Sequence, residues 1–277
     1  VKLFVAEAKI TAQLDHPAII PLYSLNSDAA DSLHLAMKLV RGKTLREYLE
    51  NIICNYRLQG IDKFDEHSSL FKRLGLFLKV CEAISYAHHS NVIHCDLKPE
   101  NIMIGEFSEV FVMDWGIAKK LDHDGRAPAT DSDNMISGTP RYLSPETMFG
   151  ELLDVRSDIF SLGLILHEVV TLSFATGGDN PGSIMKQIKA GQLEPVQHAF
   201  GVEIAADLAA IIRTATAHAP DQRYQTVSAL ADDLNLFIQG REVQANPDNW
   251  FMKMVRVCHQ HRVGVFISLL LLLTLSA

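Results

Sequence analysis

Eight consecutive residues, His94-Cys95-Asp96-Leu97-Lys98-Pro99-Glu100-Asn101, are followed thirteen residues later by Asp114-Trp115-Gly116. Between them lie Ile102-Met103-Ile104 and Val110-Phe111-Val112-Met113, two apolar runs that read as short strands. Loop, strands and turn at this spacing leave the chain few folds to choose from; a lone Asp-x-Gly triplet would carry almost no information. The set supplies one carboxylate able to steer a hydroxyl proton, a lysine beside it, and an amide and a second carboxylate able to hold metal ions. Phosphoryl transfer calls for these groups, because its catalysis is mostly positioning and charge neutralisation.

Composition narrows the field further. A chain of 277 residues with 48% hydrophobic content can bury a large core. The formal charge of -8 argues against a general nucleic-acid binder, which would carry a basic stripe. Cys54, Cys81, Cys95 and Cys258 form no Cys-x-x-Cys pair, so free thiols are the simple reading. The histidines His88, His89 and His94 with Cys95 match no zinc spacing.

The loop and the Asp-Trp-Gly turn resemble the catalytic loop and metal-binding turn of bacterial eukaryotic-type (Hanks-type) Ser/Thr protein kinases, over the chain up to about Gly240. Cys95 and Trp115 stand where that family usually has arginine and phenylalanine. The resemblance implies an α+β, two-lobe fold with ATP and Mg2+ as cofactors and protein serine or threonine as acceptor. Asp96 would orient the acceptor hydroxyl and take its proton. Lys98 would offset charge on the transferring phosphoryl group, and Asn101 and Asp114 would bind magnesium. Met103 would floor the adenine, Met37 would be the gatekeeper, and the backbone of Lys38 and Val40 would hydrogen-bond the adenine.

The segment Phe4-Val5-Ala6-Glu7-Ala8 to Leu14-Asp15-His16-Pro17 is similar to helix C of kinases, with Glu7 the partner of a strand lysine. That lysine and its glycine-rich loop would lie upstream, since no glycine precedes Gly42. Farther on, Gly138-Thr139-Pro140-Arg141-Tyr142-Leu143-Ser144-Pro145-Glu146 resembles the substrate-docking segment. Glu146 would pair with Arg223 in the core, and Asp158 would cap the backbone of the catalytic loop from below. The charged stretch 117–137 holds Thr130, Ser132 and Ser137 as phosphorylation candidates. A cysteine at position 95 cannot pair with a phosphate there, which predicts weak dependence on loop phosphorylation.

Periodicity places strands over 19–25 and 33–40, and Thr44-Leu45-Arg46-Glu47 as a helix start. Residues 51–69 read as a polar connection. Helices are expected over 70–90, from 157 to about 172, and near 183–190, 203–217 and 226–239. The chain thus divides into a partial N-lobe (1–40), a mainly helical C-lobe (41–240), a basic juxtamembrane linker (241–262) and a truncated transmembrane helix (263–277). Fifteen apolar residues span roughly 22 Å as helix, short of the roughly 30 Å hydrocarbon core. Lys253, Arg256 and Arg262 before the run would keep the preceding domain cytoplasmic on a single-pass membrane protein, with 251–262 drawn to anionic lipid or packed on the lobe. A homodimer is left open.

Two rivals compete with this reading. Small-molecule phosphotransferases of the aminoglycoside or choline kinase type share the His-x-Asp-x-x-x-x-Asn loop, but Lys98, the Ser-Pro-Glu segment and the Asp158 helix fit the protein kinase pattern. A pseudokinase docking module is opposed by the presence of Asp96, Asn101 and Asp114. A glycine-rich loop and a strand lysine upstream would discriminate.

Overall fold

A computed structural model describes residues 8–27, 33–59, 66–129, 138–248, 250, 252 and 253. Among these the chain opens on a helical turn at 8–11, then pairs β1 (Leu22–Ser27) with β2 (Leu33–Met37) in an antiparallel ladder. A three-stranded sheet follows from β3 (Gly42–Thr44), β5 (Ile102–Gly105) and β6 (Val110–Val112), with β5 in the middle. A parallel bridge between Ile19 and Val112, with Val112 N–H donating to the Ala18 carbonyl at 2.8 Å, ties the chain before β1 to β6. Two small ladders complete the strands: β4 (Val92–Ile93) with β7 (Lys119–Lys120), and β8 (Ala127–Pro128) with β9 (Leu152–Leu153).

The helices form the larger body. α1 (Leu45–Gln59) begins in a capping box: Glu47 N–H donates to Thr44 Oγ1 at 3.1 Å, and Thr44 N–H to Glu47 Oε2 at 2.7 Å. α1 buries Leu45, Leu49, Ile52 and Tyr56, spaced four, three and four residues apart on one face. It therefore continues through the first half of the stretch expected to be a polar connection. α2 (Glu66–His89) starts earlier than the expected Leu70, and 60–65 lie outside the described residues. The apolar face of α1 was visible as Leu49, Ile52, Ile53 and Tyr56; intervening polar residues masked it.

At the centre runs α4 (Val155–Thr171), buried at every position from Ser157 to Thr171 and capped by Asp154, whose carboxylate accepts from Arg156 N–H at 2.8 Å. A helix buried on every side belongs in a core, and its buried polar groups such as Asp158 and Glu168 are paired there. Around it pack α2, the short α3 (Pro145–Phe149), α5 (Pro181–Lys189), α6 (Ala206–Ala215) and α7 (Val227–Ile238). At Gly163 a Cβ would stand 2.7 Å from Thr216 Cγ2 and 2.9 Å from Ala215 Cβ, so glycine permits the close approach of α4 to α6. α5, α6 and α7 lie within a few residues of their expected ranges, whereas β2 ends at Met37 rather than Val40.

The beginning of the expected linker is held on the lobe. Gln244 and Ala245 donate backbone N–H groups to the buried Asp233 carboxylate at 2.6 and 2.9 Å, and Val243 is fully buried. No helix among the described residues is long and apolar enough to cross a membrane, and the apolar run 263–277 lies outside them.

Candidate active site

Local rules account for the loop's shape before its chemistry matters. β4 leads into it, and Pro99 starts a single 3-10 turn at Pro99–Asn101, where a missing N–H costs nothing. Cys95 sits at φ +67° and Asp114 at φ +61°, left-handed conformations that L-residues adopt only when the surroundings impose them.

Asp158, at the start of α4, supplies that constraint. It is 1% exposed, and its carboxylate accepts from His94 N–H at 2.8 Å and Cys95 N–H at 3.0 Å, with His88 Nε2 2.7 Å away. Burial works against its charge, but the bond from His88 and the neighbouring donors hold its pKa below the ordinary carboxylate value. The expected cap from below is therefore present, and His88 is a third partner that spacing did not disclose.

His94 links loop and turn. Asp96 N–H donates to His94 Nδ1 at 3.3 Å, which places the ring proton on Nε2, where it donates to the Met113 carbonyl at 3.0 Å. Full burial pushes the His94 pKa down and keeps the ring neutral, as this tautomer requires. Met113 N–H in turn donates to the Asn101 carbonyl at 2.9 Å. Asp114 therefore follows a residue bonded to both Asn101 and His94.

Around Asp96 three groups converge. Lys98 Nζ lies 2.6 Å from Asp96 Oδ2 and 2.9 Å from Thr139 Oγ1. Asn101 Nδ2 donates to the Asp96 carbonyl at 2.9 Å and to its Oδ2 at 3.2 Å, and Thr139 N–H donates to Oδ1 at 3.0 Å. Both carboxylate oxygens are thus oriented: Oδ2 takes two donors, while Oδ1 takes one and keeps acceptor capacity to spare. Gly138, at φ +116°, lets the docking segment pass: a Cβ there would lie 2.6 Å from Leu143 and 3.3 Å from the Cys95 carbonyl. With its NH2 turned to Asp96, Asn101 has its amide oxygen for a cation, and the exposed Asp114 adds a carboxylate. All-oxygen donors suit a hard divalent ion such as magnesium.

The nucleotide-facing expectations are partly placed. Met103 lies on β5 opposite Phe111 and Thr44. Met37 ends β2, half-exposed. Lys38 N–H donates to the Pro21 carbonyl at 3.2 Å, and its ammonium sits 4.6 Å from the Phe111 ring centroid; Val40 is half-buried just beyond. Glu7 lies outside the described residues.

Behind the site, Glu146 and Arg223 form the expected buried pair, bidentate at 2.8 and 2.9 Å, with Ser157 Oγ also donating to Glu146 at 2.7 Å. Burial opposes the Glu146 charge, yet the Arg223 bonds outweigh it and hold the pKa below its usual value. A second, partly buried cluster had no signal in the sequence. Arg46 of α1 bonds Glu100 of the loop at 2.7 Å and pairs with Glu168 of α4, while the Tyr142 hydroxyl donates to Glu168 at 2.7 Å. Arg46 read only as part of a helix start. Its partners lie 54 and 122 residues away, beyond the reach of any local pattern.

Comparisons agree with this geometry. The family model described as "Protein kinase domain" matches residues 2–234. Serine/threonine-protein kinase PknD of Chlamydia caviae is 34% identical over 261 residues, covering 86% of this chain and 27% of the relative. The PknD proteins of Protochlamydia amoebophila and Chlamydia muridarum are 33% and 32% identical, over 87% and 90% of this chain and 26% and 29% of their own lengths. The chain spans little more than a quarter of these relatives. With the family model matching residues 2–234 of 277, the chain belongs to the protein kinase domain family.

Proposed function

We propose that this chain carries the catalytic lobe of a protein Ser/Thr kinase that moves the terminal phosphate of ATP onto serine or threonine hydroxyls. The observation that carries the reading is the convergence of Lys98, Asn101 and Thr139 on the Asp96 carboxylate, with Asp114 one residue beyond the Met113–Asn101 bond. Relatives bearing the name serine/threonine-protein kinase support the acceptor class.

The Asp96 carboxylate, oriented by three donors, aligns the acceptor hydroxyl and receives its proton. The Lys98 ammonium, held between Asp96 and Thr139, offsets charge building on the phosphoryl oxygens and ties the docking segment to the loop. Asn101 and Asp114 would hold magnesium, which when bound neutralises the nucleotide phosphates. Met103 would lie under the adenine and Met37 at its back. The Lys38 carbonyl and the Val40 backbone would meet the adenine edge, since Lys38 N–H is taken by Pro21. Glu7 would pair with a strand lysine contributed from upstream.

Membrane attachment is a separate part of the proposal. Support comes from the apolar run 263–277 and the cations Lys253, Arg256 and Arg262 ahead of it, which favour a single-pass span with the kinase on the cytoplasmic side. Association with lipid that survives alkaline washing, and disappears when 263–277 are deleted, would support it; an alkali-extractable full chain would not.

The catalytic reading is tested by phosphotransfer assay of the full-length protein. Radiolabelled γ-phosphate should appear on serine or threonine of an acceptor protein, and Asp96→Asn or Asp114→Ala should lower the rate by at least about a hundredfold. Undiminished transfer in Asp96→Asn would remove Asp96 from its role.

A further inference from the structure

We infer that Trp115 locks the turn bearing Asp114 in a single orientation before any metal arrives, through a hydrogen bond that phenylalanine could not make. The functional meaning rests on the reading of Asp114 as a metal ligand; the lock itself rests on contacts within the protein.

The two residues preceding Asp114 are held at both backbone groups. Val112 N–H donates to the Ala18 carbonyl at 2.8 Å and Met113 N–H to the Asn101 carbonyl at 2.9 Å. The Met113 carbonyl accepts from His94 Nε2 at 3.0 Å, and the Val112 carbonyl accepts the Trp115 indole N–H at 3.4 Å. The indole bond loops back over Asp114, from the residue after it to the strand two residues before it. Beyond the turn, Ala118 N–H donates to the Trp115 carbonyl at 3.1 Å.

The ring itself adds a second constraint. Trp115 is 2% exposed, and its ring centroid lies 4.5 Å from that of His94, tilted by 49°. It packs against the imidazole that holds the Met113 carbonyl, so one side chain fills the space under the turn and steadies the donor just beyond β4. Swinging Asp114 away would break the indole bond and expose a large apolar ring at once. The left-handed backbone at Asp114 persists because these contacts over-determine it.

The chain has two tryptophans, and Trp250 is 76% exposed, so Trp250→Phe leaves Trp115 as a single reporter. In metal-free protein its emission should be that of a buried indole, quenched by acrylamide several-fold less than free tryptophan, and unchanged by magnesium with ADP. A red-shifted, freely quenched emission without metal, or a marked fall in quenching on adding magnesium and ADP, would overturn the lock. In Trp115→Phe, amide exchange across 113–117 should quicken about three- to tenfold while α4 keeps its protection. Equal exchange at the turn would show that the ring alone suffices and that the indole N–H has no part. Protection of α4 reports whether this variant folds, and the single-tryptophan reading stands without it. None of these measurements reads phosphotransfer, so failure of the lock and failure of the kinase reading are told apart.

Discussion

The catalytic loop and the base of the segment following the Asp-Trp-Gly turn lie side by side yet are held by different forces. His94 to Asn101 is suspended from charged and polar groups: Asp158 below, and Lys98, Asn101 and Thr139 around Asp96. Beside it, β7, β8 and β9 close over a small apolar cluster of Ile93, Leu121, Ala127, Ala129 and Leu153, with Cys95 and Val155 packed against it. One lysine adds to this seam, Lys119 donating to the Pro128 and Ala129 carbonyls at 2.8 and 3.1 Å. Directional bonds fix where a reacting carboxylate points; apolar contact fixes only that a segment stays closed. Cys95 belongs to both regions, its backbone N–H on Asp158 and its side chain in the apolar seam, where an arginine would have faced outward for a phosphate.

The largest effect should come from cutting the polar suspension. Asp158→Ala strips three donors of one buried acceptor and should cost about 3–5 kcal/mol, read from urea unfolding. A loss below 1 kcal/mol would mean the loop is held by something else. Leu153→Ala opens the apolar seam instead and should cost about 2–3 kcal/mol, with proteolysis concentrated in 117–137. If cleavage spread evenly through the chain, the seam would be no separate unit.

Acid should separate the two regions further. His94, Glu146 and Asp158 all have folded-state pKa values below their ordinary ones. Each therefore stabilises the fold above its unfolded pKa, and that contribution fades as pH falls through the folded value. Urea midpoints should start to decline below about pH 6.5 through His94, with the burial-lowered His167 and His198 adding to it, and steepen below about pH 4.5 through the carboxylates. The Leu153 contribution, having no proton to gain, should stay constant over the same range. The smallest effect is expected from phosphatase treatment: with Cys95 in an apolar seam, phosphotransfer should change less than about twofold, and a large drop would show a phosphate-dependent tie that bypasses position 95.

Legibility followed sequence distance. The loop, the turn, the capping box at Thr44 and Glu47, and the helices around 155–171, 181–189, 206–215 and 227–238 were readable, because a cap or an amphipathic face is written within a dozen residues. The stretch 51–69 misled, because polar residues such as Asn51, Asn55 and Arg57 lie on the solvent side of α1 and dilute an otherwise regular face. The Glu146–Arg223 pair and the Asp158 cap were anticipated only through family resemblance, since nothing local joins residues 77 or 64 positions apart.

From the amino-acid order alone came the candidate groups: Asp96, Lys98, Asn101 and Asp114 would carry the proposed chemistry, and their spacing around two short strands already brings them to one edge. Tertiary structure alone decided how those groups are aimed. Arg46 reached Glu100 and Glu168, His88 joined Asp158, and the Trp115 indole found the Val112 carbonyl, because burial leaves a polar group no water to turn to and makes each one seek the partner that folding happens to bring within reach.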